Sequence, residues 1–264
     1  RGNSPFERSS HGHKPIPPLK NKGIIIMDQT RHDLLKSKMN LYWNSNQSCL
    51  DKLAGDASTR CYYRSTCDKK SAVVMDRHES YEPGTDPYTL TTEFLEDRNI
   101  PVPSIYATSP DEGVMIIEDL GDRSLQDCYH ENRCDTMQVL YGQVLDVLVS
   151  MHRLDTTDNK QSGLPAFKLR FDYEKLMWEL DFFNKHFVNG HCNYSLSVTE
   201  QKVQDKVFQS ICSTLDQEKP LVFTHRDFHC RNIMVRDERI YLIDFQDARL
   251  GLPEYDLASL LRDA

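Results

Sequence analysis

The feature that most constrains this sequence is a hairpin written into residues 233–243. Two short apolar, β-prone runs, Ile233–Val235 and Ile240–Ile243, flank a charged turn, Arg236-Asp237-Glu238-Arg239. Runs of that kind about a polar turn read as paired antiparallel strands. A hairpin centred near residue 238 brings Asn232, just before the first strand, opposite Asp244, just after the second. An amide oxygen beside a carboxylate suits a hard cation such as Mg²⁺, which takes oxygen ligands and keeps waters or phosphates for its remaining positions. Asp227, a few residues before Asn232, reaches the same place from the preceding loop. A carboxylate there can accept or orient the proton of an attacking hydroxyl.

The rest of the composition narrows the setting. At 264 residues the chain suits one large domain or two lobes sharing a cleft. Its 40 acidic residues outnumber 32 basic ones, for a net charge of −8, which argues against a nucleic-acid partner. The apolar run Ile24–Met27 is far too short to cross a membrane. The 8 cysteines form no CxxC pair, so reduced thiols in a cytoplasmic protein are the simplest account and a structural zinc is not expected. Residues 1–26, polar, basic and carrying Pro5, Pro15, Pro17 and Pro18, read as a disordered leader, a cloning remnant or translated upstream sequence.

Along the chain, Leu34–Trp43 has the spacing of a short helix, and Cys61–Arg64 and Ser71–Met75 read as strands joined by the turn Cys67–Lys70. A helix over 87–98, ended by Pro101-Val102-Pro103, precedes two further strands, Ser104–Ala107 and Gly113–Ile117. Beyond them the pattern turns helical. Met137, Leu140, Tyr141, Val144, Leu145, Leu148 and Met151 form one stripe, with Asp135 as N-cap. Tyr173–Phe183 and Val203–Leu215 form two more, the last introduced by Ser197 and Glu200 in capping-box spacing. All three stripes are expected to be core.

His225-Arg226-Asp227 followed by Asn232 resembles the kinase catalytic loop HRDxxxxN, and Asp244-Phe245-Gln246 stands where a kinase has Asp-Phe-Gly. With Tyr255-Asp256-Leu257-Ala258, these residues resemble the aminoglycoside phosphotransferase and choline kinase-like superfamily. Ordered blocks are most similar to the bacterial anomeric N-acetylmuramate/N-acetylglucosamine kinases of cell-wall recycling. They are Leu53–Arg60, Ile100–Pro103, Ile117–Asp122, His225–Asn232 and Ile243–Ala248.

The resemblance implies an α+β, bilobal protein-kinase-like fold. A small antiparallel, β-rich N-lobe (27–120) would bind ATP, and a larger helical C-lobe (121–264) would be catalytic, with the family's last helices lying beyond this chain. It implies that Gly55, Asp56, Ala57 and Ser58 cover the ATP phosphates and that Glu118, Asp119 and Leu120 form the adenine hinge. It makes Asp227 the catalytic base, Asn232 and Asp244 the Mg²⁺ ligands, and His225 a brace of the loop. The acceptor would be a small molecule, an amino sugar, near Gln246 and Asp247. Two kinase features are missing. No lysine stands in Ala72–Asp76, leaving Arg60, Arg64 and Arg77 as candidate phosphate contacts. His229 replaces the lysine two residues after the catalytic Asp, so Arg231 is the cation available there. Two alternatives remain. One is a degenerate, non-catalytic nucleotide-binding protein. The other is a metal-dependent hydrolase or oxygenase in which His225, Asp227 and His229 share a strand face.

Overall fold

A computed structural model describes residues 22–53, 60–131, 134–156 and 163–262. The chain divides into two units, residues 1–48 and 49–264. The described part of the first is a long helix, α1 (Lys22–Trp43), closed by a turn in which Ser48 Oγ donates to Asn40 Oδ1 at 2.5 Å. Leu35 and Met39, one turn apart on it, are buried. The helix starts well before the Leu34–Trp43 pattern and takes in Lys22–Ile26 of the stretch read as a leader.

The second unit opens with a five-stranded antiparallel sheet. Its strands are β1 (Cys49–Lys52), β2 (Cys61–Cys67), β3 (Lys70–Asp76), β4 (Ile105–Ser109) and β5 (Val114–Glu118), in the order β1-β2-β3-β5-β4. Ala72–Met75 on β3 and Val114–Ile117 on β5 are buried on both faces, which is why they read as unbroken apolar runs rather than alternating ones. Between β3 and β4 lies α2 (Pro87–Glu96). Asp86 caps it by accepting the Thr89 backbone N–H, and Pro87 fills the first helical position, where no N–H is needed.

The remainder is helical apart from two small strand pairs. α3 (Leu125–His130) begins with a capping box between Ser124 and Asp127. α4 (Cys134–His152) follows, then the short α5 (Pro165–Lys168) and α6 (Tyr173–Phe183), which runs on into a π-helical segment, Asn184–His191. The capping box of Ser197 and Glu200 opens α7 (Val198–Gln217), as the spacing predicts. β6 (Val222–Thr224) pairs with β9 (Arg249–Gly251), and between them the hairpin of β7 (Ile233–Arg236) and β8 (Arg239–Leu242) forms. Its two-residue turn has positive φ at Asp237 and Glu238 (51° and 58°), the geometry that matches strand twist. α8 (Pro253–Arg262) closes the described chain.

One apolar cluster joins sheet, helices and hairpin. Val73, Met75, Met115 and Ile117 meet Leu95 of α2, the α4 stripe of Leu140, Val144, Leu148 and Met151, and Phe223, Phe228, Ile233, Leu242 and Phe245. Each such side chain contributes about 1.5–3 kcal/mol on burial. Two expectations need correction. α4 starts at Cys134, so Asp135 lies within the helix rather than capping it. The α6 and α7 stripes are not core: α6 buries none of its residues and α7 only Cys212. These two helices pack on each other, which covers one side of each and leaves Trp178, Phe182, Val203 and Ile211 exposed.

Candidate active site

A pocket of about 930 Å³ lies between the sheet and the helical part. One end is the strand-to-helix crossing Glu118–Asp122, the other the loop and hairpin mouth that hold Asp227, Asn232 and Asp244. Leu53, Val73, Ile117, Met234 and Ile243 line it with apolar surface, a slot of the kind that receives a flat heterocycle.

At the crossing, every charged side chain is committed to the fold. Arg64 on β2 donates from Nε to Asp119 Oδ2 at 2.8 Å, from Nη2 to Asp119 Oδ1 at 2.9 Å, and from Nη1 to Asp122 at 2.8 Å. Arg236 on β7 reaches across to donate to the Asp119 carbonyl at 2.9 Å and to Glu118 Oε1 at 2.5 Å. Burial pushes the Asp119 carboxyl up, but the Arg64 bonds and the Gly121 N–H outweigh it and hold it below the ordinary carboxylate value. Gly121, at φ 79°, can turn its N–H back on Asp119 because it has no Cβ.

The other end is built differently. His225 is fully buried. Its Nε2 donates to the Ile243 carbonyl at 3.0 Å, and burial lowers its pKa to about 4, so the ring is neutral and braces the hairpin mouth. Arg226 stands at φ 82°, a conformation costly for a residue with a Cβ, and Asp244 at φ 65°. Buried Asp256 holds the first of these kinks by accepting the backbone N–H groups of His225 and Arg226 at 2.7 and 3.0 Å. The kink turns Asp227 into the pocket. Asn232 Nδ2 donates to the Asp227 carbonyl at 3.0 Å, which leaves the amide oxygen towards the cavity.

The hairpin register differs by one residue from the sequence reading. Ile233 pairs with Leu242, and the Ile243 N–H donates to the Asn232 carbonyl at 3.0 Å. Asn232 therefore faces Ile243, with Asp244 one residue further on; both still line the same wall. Asp244 accepts from Gln246 Nε2 at 2.7 Å and makes no ion pair among the described residues. Asp247 lies 3.7 Å from Arg226, and Arg231 is exposed at the rim. The Asp227 carboxyl is raised above its ordinary value, by burial first and then by the negative charge of Asp244 and Asp247, against the lowering effect of Arg226. The wall thus offers oxygen donors and excess negative charge, which fits a hard cation that would complete its shell with phosphate oxygens and water. It does not fit a site of two histidines and a carboxylate. His225 points away into the core, and no group of three or more His, Cys, Asp or Glu side chains among the described residues could hold a metal.

Of the three arginines weighed for phosphate contact, two are engaged elsewhere: Arg64 as above, and Arg77 in an ion pair with Asp86 at the α2 cap. Arg60 lines the pocket beside Tyr62, whose acidity is weakened by burial and further by Asp244, and restored in part by Arg60. Gly55, Asp56, Ala57 and Ser58 lie outside the described residues. On α2, Tyr88 faces inwards and stacks on Phe245, ring centroids 5.1 Å apart. Tyr62, Tyr88 and Arg236 escaped the sequence reading. The alternation of Arg60, Tyr62 and Arg64 along β2 was a usable signal for the first, whereas nothing local ties Arg236 to Glu118.

A small antiparallel sheet over a helical part, with an acidic loop facing a strand-to-helix crossing across a pocket, is the arrangement of a kinase-like fold. Solved structures agree. An ADP-bound aminoglycoside phosphotransferase APH(2'')-Ib covers 90% of this chain and 76% of its own at a TM-score of 0.63 and 16% identity. A choline/ethanolamine kinase family protein from Mesorhizobium loti covers 87% and 69% at 0.57 and 16%. The chain belongs to the phosphotransferase enzyme family, whose model matches residues 50–264. Among curated proteins it is 30% identical over 214 residues to an N-acetylmuramate/N-acetylglucosamine kinase of Pseudomonas aeruginosa, and 28% identical over 212 residues to one of Neisseria meningitidis. Each alignment covers 80% of this chain but only 59% and 60% of those relatives. No helix among the described residues is long and apolar enough to cross a membrane.

Proposed function

We propose that this chain carries the nucleotide site and catalytic loop of a kinase that transfers the γ-phosphoryl group of ATP to a hydroxyl of an amino sugar. The observation that carries the reading is the convergence of Asp227, Asn232 and Asp244 on one wall of a pocket whose far end is the hinge. The apolar slot and the backbone of Glu118–Leu120 receive the adenine. Asp227 aligns the acceptor hydroxyl and takes its proton, and its raised pKa brings it nearer to a working base. Asn232 and Asp244 would hold Mg²⁺, which neutralises charge on the phosphate oxygens when bound. Arg60, on the same sheet face as Tyr62, stands in for the missing strand lysine at the phosphates, with Arg231 at the rim. Gln246 and Asp247 lie where the acceptor enters.

The acceptor class rests on the names of the relatives: an N-acetylmuramate or N-acetylglucosamine type of sugar. The test is ADP release by the purified protein with Mg-ATP against N-acetylmuramate, N-acetylglucosamine, aminoglycosides and choline. Turnover with one of the two sugars alone is expected. Turnover confined to an aminoglycoside or choline would overturn the acceptor, and ATP binding without turnover on any of them would favour the degenerate nucleotide-binding protein.

A further inference from the structure

Away from the pocket, three side chains stand in an order that phosphoryl transfer does not use. Cys61 opens β2 and Asp76 ends β3, and the two are direct partners across the hairpin. Cys61 lies between Arg60 and Tyr62, which line the pocket, so strand alternation sends its side chain to the opposite face of the sheet. His78 follows β3 at φ 61°, a left-handed backbone that folds the residue back on the strand pair. Its N–H donates to Asp76 Oδ1 at 2.9 Å, and its Nδ1 lies 3.4 Å from Asp76 Oδ2. Its Nε2 lies 3.4 Å from Cys61 Sγ.

That geometry assigns the imidazole's two nitrogens. Asp76 is wholly buried, and a carboxylate facing Nδ1 keeps the ring proton there. Nε2 is then the acceptor, and what it faces is a thiol. A nucleophile, a base within reach of it and a third group that orients the base is the arrangement that activates a side chain for covalent chemistry. A metal site is the other use of such residues, and no cluster of three or more His, Cys, Asp or Glu side chains among the described residues could hold a metal. Chance packing is the plain alternative, and two cysteines in the same chain serve as its measure. Cys49 and Cys192 are exposed with no base hydrogen-bonded to either among the described residues, while Cys61 is half-buried beside its histidine.

We propose that Cys61 is an activated thiol and a site of reversible S-thiolation by small-molecule disulfides of the glutathione type. In the step, the Cys61 proton passes to His78 Nε2 and the thiolate sulfur attacks one sulfur of the disulfide. A new S–S bond forms to Cys61 as the old one breaks. The departing thiolate takes the proton from His78, so one protein thiol is oxidised and one small disulfide sulfur is reduced. Asp76 holds the ring throughout.

Alkylation of the folded protein by iodoacetamide, followed cysteine by cysteine by peptide mass spectrometry, tests this. Cys61 is expected to react faster than Cys49 and Cys192 by about tenfold or more, less than the roughly 10²–10⁴-fold a positioned base supplies because Cys61 is half-buried and they are exposed. His78→Asn, chosen because asparagine tolerates the left-handed backbone, should bring Cys61 to the rate of those two and leave theirs unchanged. Buried Cys128 remaining unreacted shows that the variant is folded. Oxidised glutathione should add to Cys61 first, and reductant should release it. A Cys61 no faster than Cys49 and Cys192 in the wild type overturns the proposal without any variant, as does a Cys61 rate indifferent to His78→Asn or an adduct spread evenly over the three.

Discussion

The two ends of the pocket handle charge in opposite ways. At the Glu118–Asp122 crossing, Arg64 and Arg236 pair with Asp119, Asp122 and Glu118, and little charge is left for a ligand. At the hairpin mouth, Asp227 and Asp244 face the cavity with no ion pair among the described residues, and their repulsion helps to raise the Asp227 carboxyl. On the function proposed above, a neutral base asks only for shape and backbone groups, so this crossing can commit its charges to joining β2, β5 and β7. A polyphosphate with its cation needs charge that the fold has not already used. The difference teaches which residues to alter for activity and which for stability.

The sharpest way to break the comparison is at the acidic end. Asp244→Ala should cut turnover by roughly 10³-fold or more, the several kcal/mol that a metal's charge supplies. Melting temperature should hardly move, since Asp244 is exposed and among the described residues its side chain bonds only to Gln246. Near-normal steady-state rates in that variant would take Asp244 out of the metal site. Asp227→Asn keeps size and hydrogen bonding but not basicity, and should lower kcat by about 10²–10⁴-fold while the KM for ATP stays close to wild type. A raised KM with kcat intact would make Asp227 a binding residue instead.

Arg60, just before β2, and Arg64, within it, then sharpen the comparison. Arg60→Ala should raise the KM for ATP by about tenfold or more, the worth of a hydrogen bond to a charged group. Arg64→Ala should act on stability, by about 1–3 kcal/mol in a denaturant titration. Its side chain is 20% exposed and that of Asp119 only 6%, which places the pair between a surface ion pair and a buried one. The reverse pattern, Arg64→Ala acting on KM and Arg60→Ala on stability, would exchange their roles.

What could be read from the sequence divides along similar lines. The hairpin, the sheet strands β2 to β5 and the α4 stripe were legible because each is specified locally, by period and by turn chemistry. That Asp227, Asn232 and Asp244 meet at one pocket was legible too, but not the one-residue offset at the hairpin mouth. That offset depends on Ile243 donating to the Asn232 carbonyl rather than on any pattern. The stripes of α4 and α7 look alike as sequence. Only packing separates them, since α4 lies under the hairpin and β6 while α7 packs mainly on α6 and the segment that continues it. Arg236 shows the limit most clearly: its partners Glu118 and Asp119 are remote in sequence, and no local signal announces a contact of that kind.

The smallest effect tests what holds the acidic end in shape. Asp256 accepts two backbone N–H groups under the Arg226 kink, bonds that favour its charged form, yet burial dominates and lifts its pKa to about 6. The unfolded chain titrates this group near 3.9. A pKa raised by folding means that the folded state binds the proton more tightly. Its contribution to stability is therefore complete below about pH 4 and is lost as pH rises through about 6. Asp256→Asn cannot titrate, and its amide can accept on one side only. The variant should be less stable than wild type throughout, by about 1–3 kcal/mol for the N–H left unsatisfied. Urea midpoints of both proteins across the acid range should show the wild-type advantage larger at low pH than at neutral pH. An advantage that instead grows with pH would mean that the two N–H bonds outweigh burial. The ionised carboxylate would then be the form on which the loop of His225–Asn232 is built.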